Sequence, residues 1–95
     1  MTEREMRLKR ARMRAWRRGM REMDLILGSF IDDEGAALDD GALGDFERLI
    51  ERPDQGLYVW ISSPGAVPPE DADAGEHRMI AAIRRHREGV ALALR

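Results

Sequence analysis

The chain has 95 residues, of which 43% are apolar and 36% are charged, and it contains no cysteine. This length predicts one domain with a small core and no room for a large internal active-site cavity. Without cysteine the chain can form neither a disulfide framework nor a thiolate metal site, so a reducing cytoplasm is the expected compartment. No apolar run approaches the roughly 20 residues of a transmembrane helix, and we expect no insertion into a membrane.

Charge is distributed unevenly along the chain, although the formal net charge is only −2. Residues 1–21 carry nine basic and two acidic side chains, residues 22–76 carry two basic and fifteen acidic ones, and residues 77–95 are basic again. A basic N-terminal arm often indicates nucleic-acid binding. Here the positive charge is not interleaved with aromatic stacking residues. We therefore expect no nucleic-acid partner and interpret the arm as facing the acidic middle of the chain.

The first predicted helix spans roughly Thr2 to Arg17, a segment rich in good helix formers. Met6, Arg10, Met13 and Trp16 mark one face of this helix. We interpret the thin apolar stripe as contacts with the core, although methionine also suits an adaptable contact surface.

A second helix is predicted from Met20, because apolar residues recur there with a period near 3.6. It ends at the acidic run Asp32–Glu34 and at Gly35, where three acids oppose the helix dipole. Its apolar positions are Met20, Met23, Ile26, Leu27, Phe30 and Ile31.

Two shorter helices follow, the first capped by Asp39 or Asp40 and ended by Pro53, the second capped by Asp54. Tyr58 lies at the shoulder of the second one. Residues 62–69 form a loop by composition. The predicted buried positions are Leu43, Phe46, Leu49 and Ile50 in the first, and Leu57, Trp60 and Ile61 in the second.

A last helix is predicted from about Glu70 to Arg87, and residues 89–95 follow as a tail that either packs back or stays free. Its inward positions are Ala72, Met79, Ile80 and Ile83.

No segment alternates with period two for long enough to propose a sheet. We therefore predict an all-α fold, a compact bundle of about five short helices, as a single domain over residues 1–95.

Residue patterns that indicate catalysis are weak. His77 and His86 are nine residues apart, unlike the i, i+4 pair of a helical zinc site, so no metal ligands are predicted. The glycines fit neither a phosphate-binding loop nor a dinucleotide-binding spacing, so no bound cofactor is predicted. A bundle of this size also offers few places where burial can shift a carboxylate pKa. We predict no catalytic residues and no enzyme activity.

The stretch "RRGMREMD", residues 17–24, places Gly19 between basic residues and ahead of two acids. A glycine costs about 1 kcal/mol relative to alanine inside a helix, so its presence needs a reason. One interpretation is a contact surface, in which Gly19 lets a partner backbone come close beside the Arg18 guanidinium and Glu22 one turn away. The other is that Gly19 marks a junction between two helices and that Arg18 and Glu22 form an exposed ion pair. The residues alone leave both open.

Two stretches together resemble the SdhE family of succinate dehydrogenase assembly factors, over about residues 10–88. "RRGMREMDLIL" carries the Arg-Gly-x-x-Glu motif of that family, and "FERLIERPDQGLYVWI" carries its Phe-Glu and Pro-Asp-x-x-Leu-Tyr-x-Trp pattern. Gly56 stands where the family often has an acid. The matching positions are Arg18, Gly19, Glu22 and Asp24 in the first stretch, and Phe46, Glu47, Pro53, Asp54, Leu57, Tyr58 and Trp60 in the second.

The resemblance implies a five-helix bundle that acts as a chaperone rather than an enzyme. Family members bind the flavoprotein subunit of succinate dehydrogenase, or of the related fumarate reductase, and promote its covalent flavinylation. The client forms the bond between FAD and its own histidine, so the chaperone itself holds no cofactor. A monomer in the cytoplasm of a bacterium is expected.

The resemblance also implies a partner-binding surface. We expect Gly19 to permit close approach, Arg18 to pair with a client carboxylate or carbonyl, and Glu22 and Asp24 to hold a client cation or to orient Arg18. The alternatives are an antitoxin-like regulator that binds another protein, and a basic-armed nucleic-acid binder. The predicted partner-binding residues are Arg17, Arg18, Gly19, Glu22, Asp24 and Tyr58.

Overall fold

The structure is a computed structural model and describes residues 1–93, in which five α-helices follow one another and no strand occurs. They are α1 (Glu3–Trp16), α2 (Arg21–Glu34), α3 (Asp40–Leu49), α4 (Asp54–Ser62) and α5 (Ala74–Ala93), with a 3-10 turn at Gly35–Ala37. The predicted all-α bundle is confirmed. None of the helices in this part of the chain is long and apolar enough to cross a membrane.

The core forms where α2, α3, α4 and α5 bring their apolar faces together. Phe30 and Phe46 are stacked at its centre, with ring centroids 5.8 Å apart. The buried positions predicted for α2, α3, α4 and α5 are confirmed, apart from Met20 and Ala72, which are only partly buried. The largest fully buried side chains are Phe30, Phe46, Met23, Leu27, Ile31, Leu43, Leu49, Ile50, Leu57, Ile80 and Ile83.

The predicted inward face of α1 is wrong. Leu8, Ala11 and Ala15 are buried, whereas Met6, Met13 and Trp16 are exposed. Positions two apart on a helix point to nearly opposite sides, so a face containing Leu8 turns Met6 outward. Small alanines let α1 lie close to α2, which is a different way of packing from the bulky stripe that the sequence suggested.

Trp16 contacts α2 from the edge of α1. The position that a Cβ of Gly28 would occupy is 2.3 Å from indole carbons of Trp16, and the indole N–H donates to the Asp32 carboxylate at 3.1 Å. Gly28 inside α2 is therefore explained by the close approach of an aromatic ring.

The helix N-termini are capped as predicted at α3 but not at α4. The Asp39 carboxylate accepts the Ala42 N–H at 2.8 Å. Pro53 occupies the N-cap of α4 with no side-chain bond, because the Asp54 carboxylate is used elsewhere.

The last helix is shifted toward the C-terminus relative to its prediction. Asp73 accepts the Glu76 N–H at 2.8 Å and Glu76 accepts the Asp73 N–H at 3.4 Å, a reciprocal capping box that makes α5 begin at Ala74. The helix continues through Ala93, so residues 89–93 extend α5 rather than form the predicted tail. The remainder of that predicted tail, residues 94 and 95, lies outside the described residues.

One buried ion pair joins the α3–α4 loop to α5. Glu76 is only 5% exposed, and its carboxylate accepts two bonds from the Arg52 guanidinium, at 2.5 and 3.1 Å. These bonds lower the pKa of Glu76 below its usual value, against the opposing effect of burial. They also raise the pKa of Arg52. The pair keeps Glu76 ionised inside the fold.

Candidate functional site

The stretch that resembles the Arg-Gly-x-x-Glu motif lies where α1 ends and α2 begins. Arg17 caps the C-terminus of α1, and α2 starts at Arg21. Arg18 and Glu22 are therefore not neighbours one turn apart on a single helix, as one interpretation of the sequence assumed. Gly19 has φ +86°, and no other residue in the range 1–93 has positive φ. This backbone conformation favours glycine, so the glycine makes the turn between the two helices possible.

The space beside Gly19 is open. A Cβ built there would meet no heavy atom of the described residues within 4 Å. The turn is therefore not filled from inside by the apolar side chains of the chain, and another molecule can approach the backbone directly. Gly19 marks the junction between α1 and α2, although within residues 1–93 Arg18 and Glu22 form no ion pair with each other, and the contact surface at the open turn stays a prediction.

Arg18 points inward and is bound by its own chain. Its Nε donates to the Asp54 carboxylate at 2.6 Å, its Nη2 donates to the Arg52 carbonyl at 2.7 Å, and its Nη1 donates to the Ile50 carbonyl. The side chain is 11% exposed. The guanidinium fastens the junction to the α3–α4 loop, which differs from the expectation that it stays available for a client carboxylate.

Asp24 holds the same turn from the other side. Its carboxylate accepts the backbone N–H of Arg18 at 2.7 Å. Of the two roles expected for Asp24, the structure shows the one that positions Arg18. Because Asp24 also lies in the first turn of α2, its negative charge faces the positive end of the helix dipole.

Arg17, Arg21 and Glu22 are exposed charges of this region, and none of them forms an ion pair with another side chain between residues 1 and 93. Together with Arg18, Gly19 and Asp24, Arg17 and Glu22 form what we call the junction surface. Its centre is fixed by Arg18 and Asp24, and its charged periphery is free.

Tyr58 does not contact the junction surface through any hydrogen bond in the described part of the chain. It lies on α4, partly buried against the core, and its carbonyl accepts the Ser62 hydroxyl at 2.6 Å. Tyr58 is four residues after Asp54, so both lie on one side of α4. Since Asp54 bonds to Arg18, this side of α4 is attached to the junction.

A groove opens beside the junction, between the C-terminal end of α1 and the α3–α4 loop, with a volume of about 540 Å³. We call it the arginine groove. Sequence reasoning placed Met13 in the core and did not single out Arg14 or Glu51; the position of Glu51 within the stretch that resembles the family was the available signal. The lining residues are Met13, Arg14, Arg17, Arg18, Ile50, Glu51, Pro53 and Asp54.

The two histidines line neither the junction surface nor the arginine groove. His86 Nε2 lies 2.7 Å from the Asp33 carboxylate, and its ring meets the edge of Phe30. His77 packs edge-on against Trp60. Between residues 1 and 93 no three His, Asp or Glu side chains are close enough together to hold a metal ion.

Comparison with known proteins gives matches over almost the whole chain. A family model described as "Flavinator of succinate dehydrogenase" matches residues 9–87. The chain is 31% identical over 93 residues to succinate dehydrogenase assembly factor 2, mitochondrial, of Mycosarcoma maydis, covering 92% of this chain and 39% of that protein. It is 31% identical over 83 residues to the FAD assembly factor SdhE of Acetobacter pasteurianus, covering 87% of this chain and 76% of that protein.

A third relative, the FAD assembly factor SdhE of Pseudomonas aeruginosa, is 39% identical over 57 residues, which is 60% of this chain and 66% of that protein. The chain thus spans about two fifths of the fungal relative and about three quarters of the one from Acetobacter. No solved structure matches it. Because the family model covers the helices that form the junction surface and the core, the chain belongs to the SdhE family, the flavinators of succinate dehydrogenase.

Proposed function

We propose that this chain binds the flavoprotein subunit of succinate dehydrogenase and promotes the covalent attachment of FAD to that subunit. Its family and the names of its relatives support this function. The observation that carries the proposal in the structure is the open turn at Gly19, fixed in position by Arg18 and Asp24.

A turn of this kind suits docking against a larger protein. The missing side chain at Gly19 allows a client backbone to come within van der Waals distance of the turn. The Arg18 bonds to the α3–α4 loop and the Asp24 bond to the Arg18 N–H order the turn before a partner arrives. Ordering in advance lowers the entropy that association costs.

We assign the partner contacts to the free periphery of the junction surface. Arg17 can bond a client carboxylate, and Glu22 can bond a client cation, because both are exposed and lack partners between residues 1 and 93. Arg18 and Asp24 contribute by holding the backbone that they flank. Tyr58 extends the contact along α4, on the side that Asp54 joins to the junction.

The chain would act as a chaperone rather than as an enzyme. By holding the client in a conformation in which FAD and the client histidine are in reactive geometry, it reduces the entropy cost of the bond that the client forms. FAD then belongs to the client, and the chaperone holds no cofactor of its own. We also propose that the flavoprotein subunit of fumarate reductase is a second client. In this proposal the free chaperone is a monomer in the bacterial cytoplasm and does not bind nucleic acid.

The test is flavinylation of the client in a strain that lacks the endogenous chaperone. The client subunit is expressed with this chain or with a variant, and covalent flavin is measured by its fluorescence in a denaturing gel. Glu22→Ala removes a free charge, and Gly19→Arg fills the open turn. We expect both variants to lower covalent flavin.

The control for the added arginine is Gly89→Arg, at a glycine of α5 whose Cβ position is also open but whose φ is not positive. We expect it to support flavinylation like the unsubstituted chain. Circular dichroism of each purified variant reports whether the helices are intact. If folded Glu22→Ala and Gly19→Arg support undiminished flavin attachment, the junction surface is not needed for the function. If flavin attachment is undiminished without any chaperone, the proposed function is wrong.

A further inference from the structure

The floor of the arginine groove carries two opposite charges that neutralise each other. Arg18 and Asp54 form an ion pair at 2.6 Å, with side chains 11% and 23% exposed. Arg18 Nη1 and Nη2 each donate one further bond, to the Ile50 and Arg52 carbonyls. The floor therefore presents no free charge to a ligand, and what it recognises is decided by the groups along the rim.

The rim of the groove carries a surplus of positive charge. Arg17 is exposed and has no ion-pair partner among residues 1–93. Arg14 has only Glu51, at 3.9 Å, and the Glu51 side chain is 66% exposed. A pair at this distance and exposure contributes little, so Arg14 can exchange Glu51 for an incoming carboxylate. Two arginines against one weakly held acid make the rim cationic in a chain whose formal net charge is −2.

The groove also offers apolar contact beside these charges. Met13 is an exposed side chain of α1 and lines the groove together with Pro53, which is also exposed. Methionine adapts its shape to different neighbours, and an exposed methionine beside a cleft is suited to contact with a partner. Among residues 1–93, no aromatic ring on which a nucleobase could stack lines the groove. Cationic rim and apolar walls therefore favour a polypeptide over a nucleic acid.

We propose that the arginine groove binds an extended acidic segment of the client flavoprotein. Arg14 and Arg17 bond its carboxylate, and an apolar side chain next to that carboxylate packs against Met13 and Pro53. This inference rests on the proposed function, and it adds a second contact to the junction surface. Glu51 competes with the acidic segment for Arg14. Its carboxylate contacts Arg14 weakly in the free chain and is displaced when the segment binds.

Charge substitutions on the rim test the groove. The affinity of the chain for the purified client flavoprotein subunit is measured by titration calorimetry at low and at high ionic strength. Arg17→Glu places an acid where the segment's carboxylate binds, and we expect affinity to fall about tenfold at low ionic strength. Glu51→Gln frees Arg14, and we expect affinity to rise about threefold. A gain of this kind cannot come from a damaged fold.

The control is Arg78→Glu, which changes the net charge by the same amount at an exposed arginine of α5 that does not line the groove. We expect it to bind like the unsubstituted chain, and we expect the salt dependence to be weaker in Arg17→Glu. A variant Met13→Ala, which keeps every charge, should weaken binding without changing the salt dependence.

The outcomes separate this inference from the proposed function. If the unsubstituted chain binds the client but Arg17→Glu and Glu51→Gln bind equally well, the groove is not used and Arg17 makes no contact in the junction surface either, which then rests on Gly19 and Glu22 and is judged by the flavinylation test. If Arg78→Glu weakens binding as much as Arg17→Glu does, general charge attraction replaces the groove. If single-stranded RNA of random sequence binds as tightly as the client and competes with it, the acidic segment is the wrong ligand. If the unsubstituted chain binds no client, both proposals fail.

Discussion

Replacement of Arg18 by alanine should destabilise the fold far more than replacement of its neighbour Arg17. Arg18 forms an ion pair with Asp54 and donates to two main-chain carbonyls, those of Ile50 and Arg52, from a side chain that is almost buried. Arg17 is exposed, and its side chain forms no ion pair with residues 1–93. The two adjacent arginines therefore form a matched pair, one structural and one free.

The magnitude follows from the bonds that are lost. A hydrogen bond to a charged group contributes about 1.5 to 3 kcal/mol when it is removed from a sheltered position. Arg18 makes three such bonds, but their contributions to stability are not additive because they belong to one side chain. We therefore expect Arg18→Ala to lower the free energy of unfolding by about 3 kcal/mol. In a domain of this size, 1 kcal/mol corresponds to about 4 to 8 °C in melting temperature. Arg17→Ala should stay within about 0.5 kcal/mol of the unsubstituted chain.

Arg18→Lys distinguishes the geometry from the charge. Lysine keeps the positive charge but carries its donors on one nitrogen, which cannot span Asp54 and both carbonyls as a guanidinium does. We expect it to recover less than half of the loss. The measurement is urea denaturation followed by circular dichroism at neutral pH. Equal unfolding midpoints for Arg18→Ala and Arg17→Ala, or full recovery by lysine, would refute the assignment of Arg18 as a clamp.

Three other predictions follow from the packing. Because Arg52 lowers the pKa of Glu76, the pair stabilises the fold above the usual glutamate pKa of about 4.5, and this contribution is lost as pH falls below that value through the lower pKa of the folded state. Denaturation at several pH values should show a steeper loss of stability in acid for the unsubstituted chain than for Glu76→Gln, which is already less stable at neutral pH. Gly28→Ala should displace the Trp16 indole and shift tryptophan emission to the red, with a net loss of about 1 kcal/mol, since overpacking costs about 1 to 3 kcal/mol and alanine's helix propensity returns about 1. Leu27→Ala removes a fully buried side chain and should cost about 2 to 5 kcal/mol in urea denaturation; a loss below 1 kcal/mol would contradict its central place in the core.

Periodicity predicted the helices whose inner faces are bulky. In α2, large apolar residues at helical spacing identified the buried side, and Leu27, Phe30 and Ile31 are all inside. The same reasoning failed for α1, because apart from Leu8 its buried face is built from Ala11 and Ala15, which carry almost no hydrophobic signal. A buried face of small residues can be recognised only from the close approach of two helices. That approach depends on the neighbouring helix and is not visible in the sequence of α1 itself.

The roles of charged residues were harder to predict than the helices. Asp54 precedes an apolar run and has the usual signature of an N-cap, yet its carboxylate bonds to Arg18, 36 residues earlier. Local spacing contains no information about a partner at that distance. One of the two interpretations of Gly19 placed a helix junction there, but only the fold shows that Arg18 faces inward while Arg17 and Glu22 remain exposed.

The preference for arginine, with Lys9 as the only lysine, has a structural basis in this fold. Arg4 donates to the carbonyls of Ala36 and Leu38 at the end of the 3-10 turn, and Arg84 donates to those of Trp60 and Ile61 near the end of α4. Arg18 does the same at the end of α3.

Carbonyls at a helix C-terminus lack partners within the helix and carry the negative end of its dipole, so a guanidinium with several donors satisfies two of them at once. A chain with so small a core gains order at its loops in this way. The bond network that fixes the α3–α4 loop is the same one that fixes the turn at Gly19, since both depend on Arg18. Under the proposed function, stability and docking are therefore coupled through one side chain, and we expect a substitution of Arg18 to weaken client binding by releasing the turn that it holds.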